Sequence, residues 1–117
     1  MKRDLILFIE DIKQSIENIE EFSKGLTEDK YLNSKLQRRA IERELGIIGE
    51  AVKNLPLSFR EKYPSIPWRD IAGFRNILSH VYFGLIDDRV WKIIKNELPN
   101  LKKEINKILE KEPINHQ

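Results

Sequence analysis

The chain has 117 residues, 21 basic and 19 acidic side chains, a net charge of +2 and no cysteine. That length suits one domain, and the missing thiols exclude a disulfide scaffold, a thiolate zinc site and a cysteine nucleophile. No apolar run approaches the ~20 residues of a membrane span, so a cytoplasmic protein with no membrane partner is expected.

Residues 4–23 read as a helix. Leu5, Ile9, Ile12, Ile16 and Ile19 recur at alternating spacings of four and three, which marks one helical face. Asp4 and Glu10 arrive too early for a signal peptide. Gly25 stands where a C-terminal cap belongs. Residues 26–33 read as a connector, with Thr27, Asp29 and Asn33 as candidate caps.

A second helix is predicted from Ser34 to Asn54, with Ile41, Leu45, Ile48, Val52 and Leu55 as its stripe. Gly46 and Gly49 lie inside it. Each costs up to ~1 kcal/mol against alanine in a helix, so a neighbouring backbone is expected to pack there. Pro56 ends the helix, and one short helical turn is expected within 57–63. Tyr63-Pro64-Ser65-Ile66-Pro67 reads as a rigid loop, because each proline holds its predecessor extended. Pro67 suits the start of a third helix, Trp68 to Val81.

Gly84 breaks the chain again. The last helix is predicted from Asp87, as N-cap, to Glu110, kinked or split at Pro99. Val90, Ile94, Leu98, Leu101, Ile105 and Ile108 form its apolar stripe. The reading is one all-α domain over residues 1–112, with a frayed tail at 113–117. Its architecture is an antiparallel, up-down bundle of about four long helices plus a short helical turn. Trp68 and Trp91 read as core anchors, and His116 in the tail receives no role.

Charge is unevenly spread. Residues 1–30 carry −3, residues 31–62 carry +3 and residues 63–117 carry +2. The basic density begins at Lys35, Arg38, Arg39 and Arg43. Two readings stay open for it: a solvated helix face, or a surface that meets phosphate.

Arg75-Asn76-Ile77-Leu78-Ser79-His80-Val81-Tyr82 carries the chemistry. On a helical wheel Ile71, Phe74, Ile77, Leu78 and Val81 fall on one arc, the core face. Arg75, Asn76, Ser79 and His80 fall on the other with the small residues Ala72 and Gly73. Asn76 and His80 are an i, i+4 pair. Arg75 and His80 lie about 140° apart, and Tyr82 returns to the arginine's side two turns on. A solvent face would carry Lys, Glu and Gln. Arginine instead offers a bidentate fork to phosphate, and histidine titrates near neutrality. Two copies of this helix across a two-fold axis would set Arg75 and His80 of both chains around one phosphate.

Arg75-Asn76 followed by His80-x-Tyr82-Phe83-Gly84 resembles the signature of the HepT-like branch of the HEPN ribonucleases. Ala40-Ile41-Glu42-Arg43 with Ile47-Ile48-Gly49-Glu50-Ala51, the Tyr63 to Trp68 loop, and Val90-Trp91 match the same family in order. The resemblance covers most of the chain. It implies a HEPN-like fold and a homodimeric, metal-independent endoribonuclease that acts on RNA without a cofactor, with Arg75 and His80 catalytic. It also implies a toxin–antitoxin pair in which an MNT-type nucleotidyltransferase antitoxin adds AMP to Tyr82.

On this reading His80 acts as general base on a ribose 2′-hydroxyl or as general acid on the 5′-oxygen, with the other subunit's copy in the complementary role. Arg75 stabilises the transition-state charge, and Asn76 orients His80 or binds the sugar. Ser79 faces the same cleft with no role assigned. Glu44 and Glu50 read as surface or structural residues that could also line the cleft. The rival reading is a non-catalytic helical partner that presents substrate to a nucleotidyltransferase.

Overall fold

The computed structural model describes residues 3–82 and 88–112, and the side chains of residues 3 and 80–82 are outside that description. The fold begins with α1, Arg3–Ser23, which buries Ile6, Ile9, Ile12, Ile16 and Ile19 and leaves Leu5 only partly covered. Gly25 then turns the chain at φ +76°, a left-handed conformation that glycine adopts without a steric penalty. The connector expected at 26–33 is itself partly helical. Thr27 Oγ1 accepts the Lys30 N–H at 3.2 Å, and Glu28 and Asp29 occupy the first turn of α2, Glu28–Asn33. This short helix is held by Tyr31, which is buried with its ring 5.5 Å from that of Trp91. Tertiary burial, rather than length, makes the helix.

Helix α3, Lys35–Lys53, packs most extensively on α1 and buries its whole predicted stripe. Burying one isoleucine is worth about 1.5–3 kcal/mol, so the Ile-rich α1–α3 seam dominates the core. Asn54 N–H caps α3 with a shared bond to the Glu50 and Ala51 carbonyls at 3.2 and 3.1 Å, and Pro56 stops it. The single turn α4, Leu57–Arg60, follows. The proline loop after it is fastened from two sides. The Trp68 indole N–H reaches the Arg60 and Tyr63 carbonyls, both at 3.0 Å, and the Tyr63 hydroxyl donates to Glu112 at the far end of the chain.

The expected third helix is two. Helix α5 spans Trp68–Ala72 and α6 spans Phe74–Tyr82, with Gly73 between them. The break has a local cause. A Cβ on Gly73 would stand 3.2 Å from the Asp70 carbonyl oxygen, and Asn76 N–H bonds back to the Gly73 carbonyl over three residues instead of four. Ile71 and Phe74 are buried, and Ile77 and Leu78 pack partly against the core, as the helical wheel requires.

The last long helix is interrupted just before Pro99, as expected, by a change of helix type. It runs as α7, Arg89–Lys92, then a π-helical stretch, Ile93–Glu97, then α8, Leu98–Lys111. An uninterrupted α register would ask Pro99 for an N–H that it lacks and press its ring on the Lys95 carbonyl. The wider turn removes that demand, and Leu98 N–H reaches back five residues to Ile93 O. Val90, Ile94, Leu98, Leu101, Ile105 and Ile108 are all buried, and Trp68 and Trp91 join the same core. The described residues form an all-α bundle without strands. Asp87, Gly84 and the tail 113–117 lie outside the described residues.

Candidate active site

Helices α3 and α6 enclose a groove of about 620 Å³. Arg39, Glu42, Arg43, Gly46, Ile47 and Glu50 line it from α3, and Arg75, Leu78 and Ser79 from α6. The close approach expected at the α3 glycines is real at Gly49. A Cβ there would stand 3.4 Å from the Ile71 carbonyl oxygen and 3.5 Å from Arg75 Cγ. Gly46 meets only the tip of the Leu78 side chain, at 3.6 Å. Gly49 therefore lets the end of α5 and the start of α6 lie against α3, and that contact delivers Arg75 to the groove.

Arg75 occupies the first turn of α6. Its Nη1 donates to Glu50 Oε2 at 2.9 Å, and both side chains are 54% exposed. An ion pair so wet adds little stability. Its consequence is positional: one face of the guanidinium is held by α3 while its other N–H groups remain open to the groove. Asn76 is exposed, and its side chain makes no hydrogen bond among the described residues. Ser79 Oγ donates to the Asn76 carbonyl at 2.7 Å, which occupies the hydroxyl within its own helix. The backbones of His80 and Tyr82 belong to α6, but their side chains, and with them the expected Asn76–His80 contact, lie outside the described residues.

The basic cluster divides. Arg38 is structural: its Nη1 donates to the Leu32 carbonyl at 2.6 Å, and its Nε lies 3.7 Å from Glu42 Oε2. Arg39 and Arg43, one turn apart and both exposed, open on the groove. Glu42 is buried beneath them. Burial pushes its carboxyl above the usual carboxylate range, against the opposing pull of Arg38 and Arg39. Glu44, also buried, accepts a hydrogen bond from Asn18 Nδ2 at 2.9 Å and ties α3 to α1. Sequence reasoning set Glu44 and Glu50 side by side as structural candidates, and the structure separates them: Glu44 is a core tether and Glu50 meets Arg75. The spacing did contain a signal, since Arg39, Arg43, Gly46 and Glu50 recur at helical intervals on one face of α3. Among the described residues no three His, Asp or Glu side chains cluster as a metal ion would need.

Residues 12–108 match the family model described as "Ribonuclease HepT-like". The chain belongs to the HepT-like ribonuclease family. Its relatives within or beside that family include the "Gamma-glutamylcyclotransferase and putative RNase" of Methanocaldococcus jannaschii, 46% identical over 94% of this chain. This chain spans 50% of that relative's length. A second protein of the same organism, described as "Putative RNase", is 43% identical over 89% of this chain and 95% of its own. The "Probable ribonuclease HepT" of Thermococcus cleftensis is 44% identical over 92% of this chain and 98% of its own. No solved structure gives a significant match. The family's match runs through α3 and α6, the two helices that form the groove.

Proposed function

We propose that this HepT-like chain is a metal-independent endoribonuclease, the toxin of a toxin–antitoxin pair, and that Arg75 and His80 perform the cleavage. The observation that carries the reading is the Arg75 guanidinium, fixed on one side by Glu50 and open on the other to the groove. His80 follows five residues later on the same helix.

The 2′-hydroxyl oxygen of a bound ribose attacks the adjacent phosphorus, and the bond from phosphorus to the 5′-oxygen breaks. The products are a 2′,3′-cyclic phosphate and a 5′-hydroxyl. One His80 imidazole takes the 2′-hydroxyl proton, and the protonated His80 of a second subunit delivers a proton to the leaving oxygen. Arg75 binds the non-bridging oxygens as negative charge grows on them; one such donor is worth about 3–4 kcal/mol of barrier. Asn76, whose amide has no partner among the described residues, orients His80 or binds the sugar. The two-fold related cleft explains how residues about 140° apart on one helix serve a single phosphate.

Regulation acts at Tyr82. An MNT-type nucleotidyltransferase antitoxin transfers AMP from ATP to the phenol oxygen, with pyrophosphate leaving and the phenolic proton passing to the antitoxin's base.

Incubation of the purified chain with RNA in EDTA tests the core of this reading. Wild type is expected to cleave, and His80→Ala and Arg75→Ala to lose cleavage while keeping the helical signal and melting cooperatively. Cleavage that stops in EDTA and returns with Mg²⁺ overturns the acid–base scheme. A wild type that never cleaves but binds the nucleotidyltransferase favours the non-catalytic partner.

A further inference from the structure

We propose that Arg39 and Arg43 form a phosphate-binding seat, through which the groove between α3 and α6 grips a single strand of RNA by its backbone and leads it to Arg75. The proposal rests on the ribonuclease reading above and adds to it the residues that hold substrate.

Three observations carry it. First, the guanidinium groups of Arg39 and Arg43 are exposed on the same groove as Arg75, and neither is ion-paired among the described residues. Their neighbour Arg38 shows the contrast, with its donors committed to Leu32 and Glu42. Of the groove's acids, Glu50 is engaged by Arg75, and Glu42 is buried and paired with Arg38, its attraction to Arg39 falling short of an ion pair.

Second, the spacing forms a track. Along α3 Arg39 and Arg43 are about 6 Å apart, and Glu50, which marks the level of Arg75, lies about 10 Å beyond Arg43. A stacked strand advances about 3.4 Å per nucleotide, so the three arginines span about five nucleotides. One guanidinium can then meet the phosphate at the reacting position while the other two hold phosphates on one side of it.

Third, the lining says what is read. Among the described residues the apolar lining is Gly46, Ile47 and Leu78, with no aromatic ring. Contacts along this stretch therefore fall on phosphates and sugars and are indifferent to base sequence.

Binding of short fluorescein-labelled 2′-O-methyl oligonucleotides, which lack the attacking hydroxyl, tests the seat in the full chain over a salt series. Each of Arg39→Ala and Arg43→Ala is expected to weaken binding roughly tenfold and to lower the salt slope by about 0.7, equally for A-, C- and U-rich strands. Lys53→Ala, on the same helix outside the groove, is expected to bind as wild type. Variants that bind and respond to salt as wild type does overturn the seat while cleavage of RNA by wild type still stands. Strand binding without cleavage overturns the ribonuclease reading and leaves the seat. A duplex held as tightly as the single strand overturns the single-strand assignment. A changed oligomeric state in the arginine variants also overturns the proposal, because the arginines would then hold protein.

Discussion

Glu50 Oε2 accepts the Arg75 Nη1 hydrogen bond at 2.9 Å and thereby joins the end of α3 to the first turn of α6. The pair is half-exposed on both sides, so it contributes well under about 1 kcal/mol to folding. It sets the direction in which the guanidinium faces. Glu50→Ala is expected to change the melting temperature little and to reduce kcat by about tenfold, the order of one misdirected charged donor. KM is expected to stay level or fall, since removing a carboxylate eases the approach of phosphate. Glu50→Gln keeps an acceptor for Arg75 and is expected to recover part of kcat. A loss confined to KM would refute the positioning role.

Gly49 carries the second prediction. Its missing Cβ leaves just enough room for the Ile71 carbonyl and the Arg75 stem. Gly49→Val must push α5 and the start of α6 away from α3, an overpacking cost of about 1–3 kcal/mol. The urea midpoint is expected to fall by the corresponding amount, and cleavage to fall further, because the displaced element bears Arg75. Gly46→Ala serves as the comparison. There the nearest atom is the end of a flexible leucine, and the gain in helix propensity is expected to leave stability level or higher.

Much of this was legible in the sequence. The stripes of α1, α3 and the last helix alternate at helical spacing, and their predicted residues are buried with Leu5 the one partial exception. The close packing at Gly49 follows from the cost of a helical glycine. Other features depend on partners distant in the chain. Helix α2 exists because Tyr31 finds Trp91, sixty positions away. The break at Gly73 and the π-helical stretch before Pro99 each leave the element type intact, and hydropathy periodicity is blind to both. At the site, Arg75 was recognisable from its motif. The difference between Arg38, bound to Leu32, and its neighbour Arg39, open on the groove, arises from which side of α3 meets the end of α2.

Two carboxyls, Glu112 and Glu42, are expected to give stability opposite slopes with pH. Burial would raise the Glu112 carboxyl, but hydrogen bonds from Lys62 and Tyr63 outweigh it and hold the group below its ordinary value. Its stabilising contribution is complete above the unfolded value near 4.5 and is lost as pH falls below that. Glu42 is raised above the same starting value by burial, so the folded state binds its proton more tightly and stability falls as pH rises through the folded value. Glu42→Gln is therefore expected to raise the urea midpoint at pH 7 and to leave it nearly unchanged at pH 4. Glu112→Gln is expected to lower it at pH 7 and flatten the acid limb. Tyr63, pushed up to about 12 chiefly by burial and also by Glu112, adds stability below pH 10 that is lost between 10 and 12. Identical pH profiles for wild type and both glutamate variants would contradict these assignments.

Tyr82 closes α6 seven positions after Arg75, a spacing of about two helical turns. Under the proposed regulation, a nucleotidyl group attached there brings a phosphodiester, with its negative charge, to the side of the helix that bears Arg75. Inhibition then has two sources. The new phosphate competes with RNA for the arginine, and its charge and bulk repel the incoming backbone. Co-expression with the cognate nucleotidyltransferase is expected to yield a chain heavier by one or more AMP units, mapped to the peptide containing Tyr82, with RNA cleavage lost. Tyr82→Phe is expected to keep at least a third of wild-type cleavage, because the phenol has no part in proton transfer, and to remain active after co-expression. Intact mass, peptide mapping and cleavage of the same samples check the prediction together. AMP mapped to another residue, or a phenylalanine variant still silenced by covalent modification, would exclude Tyr82 as the switch.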